Sequence, residues 1–375
     1  MFVPVSRPLL GDEETRRVTD AITAGNISSF QGGYIQEFED GFAQLHDVKH
    51  AIGVSSGTAA LHLAVLALGI KAGDEIIVPT HTMMATIFAP LYERAVPVPV
   101  DIEERTYNID PALIEAKITP RTKAIMVVHL FGHPVDMDPI MELAQKYHLP
   151  VIEDAAEAHG AKYKGKLVGT IGDIGCFSMY ANKIITTGEG GMVITNNDEY
   201  AAKIRNLKAL AFGAEHKLMH QAVGYNYRLS NIQAAIGAGQ LEKFEEIIAR
   251  KRAMAAYYLE HLKDIPEIIL PTEAPYAFSV YWMFHIVLTG GLHGRRSEFI
   301  QYLKAAGVET REDFVPYHQQ EIFIAQGLVA GDECPIAARL APDGLYLPSG
   351  TDISEAELAH VVQSVRQAVA EFATN

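Results

Sequence analysis

Cysteine is scarce in this chain of 375 residues. The two present, Cys176 and Cys334, lie far apart and lack metal-ligand spacing. A disulfide framework and a cysteine zinc site are therefore not expected, and a reducing cytoplasm is the expected compartment. Basic residues are outnumbered: 31 Lys and Arg against 46 Asp and Glu leave a net charge of -15. That balance argues against nucleic acid or an anionic membrane surface as the main partner. It leaves room for an anionic small ligand, because a local set of backbone N–H groups overrides net charge. No unbroken apolar run reaches membrane length. The most apolar stretch, residues 51–70, is interrupted by Ser55, Ser56, Thr58, His62 and three glycines. It reads as strand, turn and buried helix rather than as a span. The opening residues 1–8 show no basic region leading into an apolar core, so no signal peptide is expected. The G-x-G-x-x-G fingerprint is missing from the first strand–helix turn, which removes support for a nicotinamide or flavin enzyme.

What the chain does have is apolar residues, 49% of the total, and a regular alternation of short strands with helices. Strand signals at 50–55, 75–79, 96–102, 124–130 and 150–154 alternate with helical stretches at 57–68, 83–95, 111–118 and 138–148. Continuous apolar strands in that order predict an α/β fold with a parallel or mixed sheet covered on both faces. After Asp154 the rhythm changes. Residues 176–180 and 191–195 read as neighbouring strands, and a long helix is expected over 230–262. Strands at 281–288 and 344–347 with helices at 296–306 and 355–372 then predict a smaller domain. The expected division is a large domain, 1–250, and a small C-terminal α/β domain, 251–375.

Four segments bear chemistry. Ser55-Ser56-Gly57-Thr58 follows a strand and opens a helix, where unpaired N–H groups and the dipole favour an anion; an ordinary Ser/Thr cap has the same appearance. Glu153 and Asp154 end a buried strand at the carboxyl edge, where open α/β sheets bind ligands. An Asp there suits a cationic ring nitrogen, or simply caps the next turn. Lys183 stands between an aromatic run beginning at Phe177 and the glycine-dense turn of Gly188, Gly190 and Gly191. A lysine in a dry, crowded place loses basicity and becomes a Schiff-base former, although most lysines are solvated. Asn226 and Arg228, just before the cap residue Ser230, are donors for an anion. An anion cradle, an acid for a ring nitrogen and a lysine for an aldehyde are together what pyridoxal 5′-phosphate requires.

The ordered set resembles the DegT/StrS family of sugar aminotransferases, of fold type I and dependent on pyridoxal phosphate. The likeness runs from Ser28-Ser29 and Tyr34 through Ser56-Gly57-Thr58, Glu153-Asp154-Ala155-Ala156-Glu157 and Lys183 with Gly188-Glu189-Gly190-Gly191. It continues to Gly224-Tyr225-Asn226-Tyr227-Arg228, Arg311, Pro316 and His318. The resemblance implies a large domain with a mixed, mostly parallel sheet covered by helices. Lys183 would hold the cofactor covalently and move protons, Asp154 would meet the ring nitrogen, and Glu157 would lie near the ring hydroxyl. Gly57, Thr58 and Ser178 would hold the phosphate, joined by Asn226 reaching across to a neighbouring subunit, so the implied assembly is a homodimer with shared active sites. Ser29, Tyr34, Arg228, Arg311 and His318 would contact the substrate, a nucleotide-linked keto sugar; an amino acid, L-glutamate, would be the donor. No metal is implied.

Two departures stand out. Met83 occupies a place where relatives carry an aromatic to stack on the cofactor ring; a thioether also covers a ring face. Glu312-Asp313 replaces a proline and an apolar residue. The run from Asn182 to Gly191 is similar to that of GDP-perosamine synthases, which aminate a 4-keto carbon. Competing expectations are a relative acting on a cyclitol ketone or at another sugar carbon, and a regulatory homologue without turnover; Lys183, Asp154 and Thr58 together argue against the last.

Overall fold

Buried β-branched and aliphatic runs form the central strands, because helices cover both faces of the sheet they build. The computed structural model describes residues 1–213, 218–220, 222–330 and 334–372. Two helices, α1 (Asp12–Thr23) and α2 (Tyr34–His46), precede the first strand. Strict alternation follows: β1 (His50–Val54), α3 (Gly57–Ala67), β2 (Glu75–Pro79), α4 (Ala85–Tyr92), β3 (Val96–Val100), α5 (Pro111–Ile114), β4 (Thr122–Val128), α6 (Met137–Tyr147) and β5 (Val151–Asp154). The short β6 (Lys162–Tyr163) and β7 (Lys166–Leu167) lead to β8 (Ile174–Ser178), β9 (Gly191–Thr195) and α7 (Asp198–Leu207). Then come α8 (Asn231–Glu242), α9 (Phe244–Leu262), β10 (Ile268–Ile269), β11 (Ala277–Phe278) and β12 (Phe284–Leu288). The chain closes with α10 (Arg296–Ala305), β13 (Arg311–Glu312), α11 (Glu321–Ala325), α12 (Pro335–Leu340), β14 (Gly344–Leu347) and α13 (Glu355–Phe372).

Seven strands form one sheet in the order β1-β9-β8-β5-β4-β2-β3. Only β9 runs against its neighbours; the other pairings are parallel. The sheet is thus mixed and mostly parallel, as expected. Strand β5 sits near its middle, with Asp154 level with Val128 of β4 and Cys176 of β8. A second sheet, β10-β12-β14-β13, is antiparallel. Its core joins Tyr258, Phe284, Phe299 and Val361.

The single helix expected over 230–262 is two. Ser230 and Gln233 form a capping box at the start of α8, and the backbone leaves helical geometry at Lys243 (φ -111°, ψ 21°). Helix α8 lies close on α2: a Cβ at Gly237 would stand 2.6 Å from the Phe38 ring. Helix α9 departs toward the second core. The helix expected over 83–95 shortens to α4, and the strand expected at 176–180 begins earlier, at Ile174.

The first residues run with the second sheet rather than the first. Val3 bridges Val308, and the Ser349 N–H donates to the Val5 carbonyl at 2.8 Å. We propose a division near residue 250, inside α9, with the opening segment around Val3 assigned to the C-terminal unit. Among the described residues no helix is long and apolar enough to cross a membrane.

Candidate active site

The carboxyl ends of β2, β4, β5 and β8 open into a cavity of about 750 Å³. This is the edge at which parallel α/β sheets place ligands. Asp154 is the last residue of β5 and Ser178 the last of β8, while Gly57 and Thr58 open α3; all reach the cavity wall. Lys183 enters from the turn between β8 and β9.

Helix α3 begins as a cradle. The Ser56 side chain takes the Ala59 N–H at 3.1 Å, and the Gly57 and Thr58 N–H groups lie in the first turn, where no intrahelical acceptor exists. The backbone comes very close to β8 and β9 here. A Cβ on Gly57 would stand 2.8 Å from Ser178 Cβ, and one on Gly191 would stand 2.4 Å from the Ser56 carbonyl oxygen. Only glycine permits that approach. The positive dipole end of α3 is thereby brought beside the Ser178 hydroxyl, a built place for an anion.

Across the cavity lie the acids. Asp154 accepts hydrogen bonds from Thr86 Oγ1 at 2.8 Å and from the Ala156 N–H at 3.1 Å. Glu157 accepts from the Phe131 N–H at 2.9 Å and stands 3.6 Å from Lys183 Nζ. Burial pushes the Asp154 and Glu157 carboxyls up against the attraction of Lys183, with Asp154 adding to the rise at Glu157, and pushes the Lys183 ammonium down against the attraction of both acids. A buried carboxylate fixed by two neutral donors suits a cationic N–H of a ligand. Glu153 has a different task. It accepts from the N–H groups of Gly169, Ile171 and Gly172 at 2.6–2.7 Å and pairs with His129 at 2.9 Å. Despite its burial, those bonds hold its carboxyl below the ordinary range, so it anchors a loop behind the sheet.

The sequence-derived residues fall into two groups. Gly57, Thr58, Met83, Asp154, Glu157, Ser178, Lys183 and Arg311 line the cavity. Met83 is 55% exposed there, at a wall rather than in the core. Ser29, Tyr34, Asn226, Arg228 and His318 do not line it. Arg228 Nε donates to Ser29 Oγ at 3.1 Å, and its guanidinium lies 5.0 Å from the Phe30 ring centre. Tyr34 opens α2, its N–H bonded to Asn231 Oδ1 at 3.1 Å, and Asn226 is exposed. His318 is fully buried with Nδ1 2.7 Å from Thr80 Oγ1, so it packs behind β2 instead of facing the space.

Several residues that sequence reasoning passed over border the cavity, including Trp282, Phe314 and Tyr346. Trp282 places its ring centre 3.7 Å from Lys183 Nζ. The unusual Asp313 also finds its reason. It is buried between His81 and His285, with 3.0 Å to each ring. Burial works against its charge, yet the two imidazoles hold its carboxyl well below the ordinary range. This cluster ties the loop after β2 to the loop that carries Arg311, Glu312 and Phe314.

An anion cradle, a fixed buried acid and a cavity lysine fit the group that the sequence pointed to. Comparison with known proteins agrees. Residues 8–366 match the DegT/DnrJ/EryC1/StrS aminotransferase family. The chain is 44% identical over 366 residues to a GDP-perosamine synthase of Caulobacter vibrioides, covering 97% of this chain and 98% of that one. It is 42% identical to the GDP-perosamine synthase of Escherichia coli O157:H7, covering 98% of each. Among solved structures it superposes on DesV of Streptomyces venezuelae with a TM-score of 0.88 at 35% identity, covering 96% of this chain and 98% of that one. With the cradle, the acid and the lysine in place, the chain belongs to the DegT/DnrJ/EryC1/StrS family and is an aminotransferase that uses pyridoxal 5′-phosphate.

Proposed function

We propose that this aminotransferase moves an amino group from L-glutamate to the 4-keto carbon of a nucleotide-linked 6-deoxyhexose, for polysaccharide or secondary-metabolite sugars. The observation that carries the reading is Lys183, a buried amine in the cavity between Glu157 and Trp282, with the Asp154 carboxylate fixed nearby. The named activity of the two synthases at 44% and 42% identity supports the choice of sugar.

The roles follow from the geometry. When bound, pyridoxal phosphate supplies an aldehyde for amine exchange and a ring that draws electrons from the carbon losing its proton. Burial lowers the basicity of Lys183, which favours a free Nζ lone pair for bonding and afterwards for carrying a proton between carbons. Asp154, oriented by Thr86 and Ala156, keeps a proton on the ring nitrogen by offering it a carboxylate. The first turn of α3 and Ser178 bind the phosphate. Arg311, exposed at the cavity wall, meets the anionic diphosphate of the sugar nucleotide.

Ser29, Tyr34, Asn226 and Arg228 stand away from their own cavity, and Asn226 is open to solvent. That placement supports a homodimer in which this face completes the partner's site. The exposed Phe30, Met219 and Val223, at 70%, 66% and 82%, supply apolar surface near these residues.

Borohydride reduction of the holoenzyme followed by peptide mapping is expected to label Lys183. Product analysis with glutamate and GDP- or UDP-linked 4-keto sugars, beside a cyclitol ketone, tests the acceptor. Lys183→Ala is expected to keep the fold by circular dichroism and lose transamination; normal turnover in that variant overturns the reading.

A further inference from the structure

The amine of Lys183 needs somewhere to go whenever its nitrogen is not bonded to the cofactor. The cavity offers one place with two complementary walls. On one side Glu157 Oε1 stands 3.6 Å from Nζ; on the other the Trp282 ring centre stands 3.7 Å away. An ammonium over an indole face at that range is attracted by the ring quadrupole.

The indole is held from several directions. Its Nε1–H donates to the Asn182 carbonyl at 2.9 Å, tying the ring to the residue before the lysine. The Trp282 N–H donates to the Phe131 carbonyl at 2.9 Å, and its own carbonyl accepts from Lys251 Nζ at 2.7 Å. Tyr281, just before it, adopts a left-handed φ of 47°. Opposite, a Cβ on Gly132 would stand 2.9 Å from the Trp282 nitrogen, so this segment is pressed against the Phe131–Gly132 turn. Such a ring is a fixed surface, prepared in advance of the lysine's arrival.

We infer that the Trp282 ring and the Glu157 carboxylate form the seat that receives the Lys183 ammonium when the lysine is released, making Trp282 a positioning residue of the reaction. The inference rests on Lys183 being the residue that holds the cofactor. The ring favours the charged amine and so opposes the burial that lowers its basicity. Beside Glu157, the titratable groups bearing on this amine are Asp154 and His159 around the end of β5; Tyr180, Glu189, Glu309, Arg311, Glu312 and Tyr346 line the same cavity, and Lys251 bonds the Trp282 carbonyl.

The test uses cofactor-free protein and two readouts. First, the rate at which added pyridoxal 5′-phosphate is captured is followed by absorbance against pH in wild type, Trp282→Phe and Trp282→Leu. Removing the ring lowers the pH midpoint of capture, by about 0.5 to 1.5 pH units for leucine and less for phenylalanine. Second, Trp282 is the chain's only tryptophan, so its emission reports on the neighbouring amine. Wild-type emission is expected to titrate with the midpoint of capture, and Lys183→Met to lose that component, keeping only the one due to Lys251 on the Trp282 carbonyl, which Lys251→Met removes. If leucine leaves the midpoint unmoved, or if Lys183→Met keeps the full emission titration, the seat is overturned. If the wild type captures no aldehyde at Lys183, the proposed function itself falls, and the two failures are distinct.

Discussion

Lys251 gives the most quantitative prediction. It lies on the inner face of α9, 2% exposed, and donates to the backbone carbonyls of Trp282 and Ser349. No carboxylate pairs with it among the described residues, and burial pushes its ammonium down to about 7. An unfolded lysine keeps its proton to about pH 10.4. Between those values unfolding takes up a proton, so the stability of the folded chain rises with pH across that window. Linkage gives a gain of about 3 kcal/mol from about pH 7 to about pH 9.5, out of roughly 4–5 for the whole window. Lys251→Met fills similar volume and abolishes the titration. It also leaves two buried carbonyls without a donor, at about 1–3 kcal/mol each. Near neutrality the relief of burying a half-charged amine offsets part of that loss. In base it no longer does, so the deficit of the variant should widen by about 3 kcal/mol. Urea unfolding followed by circular dichroism at both pH values measures the gap directly. A gap constant to within about 1 kcal/mol, beyond the extrapolation error, would refute the reasoning.

Asp313→Ala should cost about 3–5 kcal/mol, because it strands two buried imidazoles, and should lower the melting temperature by about 6–10 °C. Since the Asp313 carboxyl is held low in the folded chain, its contribution is present above about pH 4 and is lost as pH falls through the folded-state value. Scanning fluorimetry should therefore show the difference from wild type shrinking in acid; an undiminished difference contradicts the clamp. Gly57→Ala should displace α3 from Ser178 and weaken cofactor binding at least about tenfold, a loss near 1.4 kcal/mol, and the clash should also lower the stability of the cofactor-free protein by about 1–3 kcal/mol. Titration of that protein with pyridoxal phosphate reads it, and an unchanged affinity would remove Gly57 from the cradle.

Much of the sheet was legible because the parallel strands are short, mostly apolar runs and some crossover helices begin at a recognisable cap, as at Ser56 and Asp110. The break at Lys243 was not, since no glycine or proline marks it. It follows from α8 packing on α2 through Gly237 while α9 turns to another core. Helices α1 and α2 passed unread, their polar faces masking the buried Phe38 and Phe42. Within the site, the residues on strand ends and in the first turn of α3 could be found from local pattern. Trp282 and Tyr346 could not, because each comes to the cavity from a distant segment. His318 shows how tertiary packing can hide a polar residue: it lies buried against Thr80, a placement that its position in the sequence does not give. The pairing of Asp313 with His81 and His285 likewise needed three separated stretches of chain to be seen together.

The opening segment carries a practical consequence. Val5, Ser6 and Pro8 border the same space as Lys183, while Val3 is stitched to the far sheet. Trimming a handful of leading amino acids, an edit usually treated as cosmetic when a recombinant vector is drawn up, would here take bricks out of the reaction chamber.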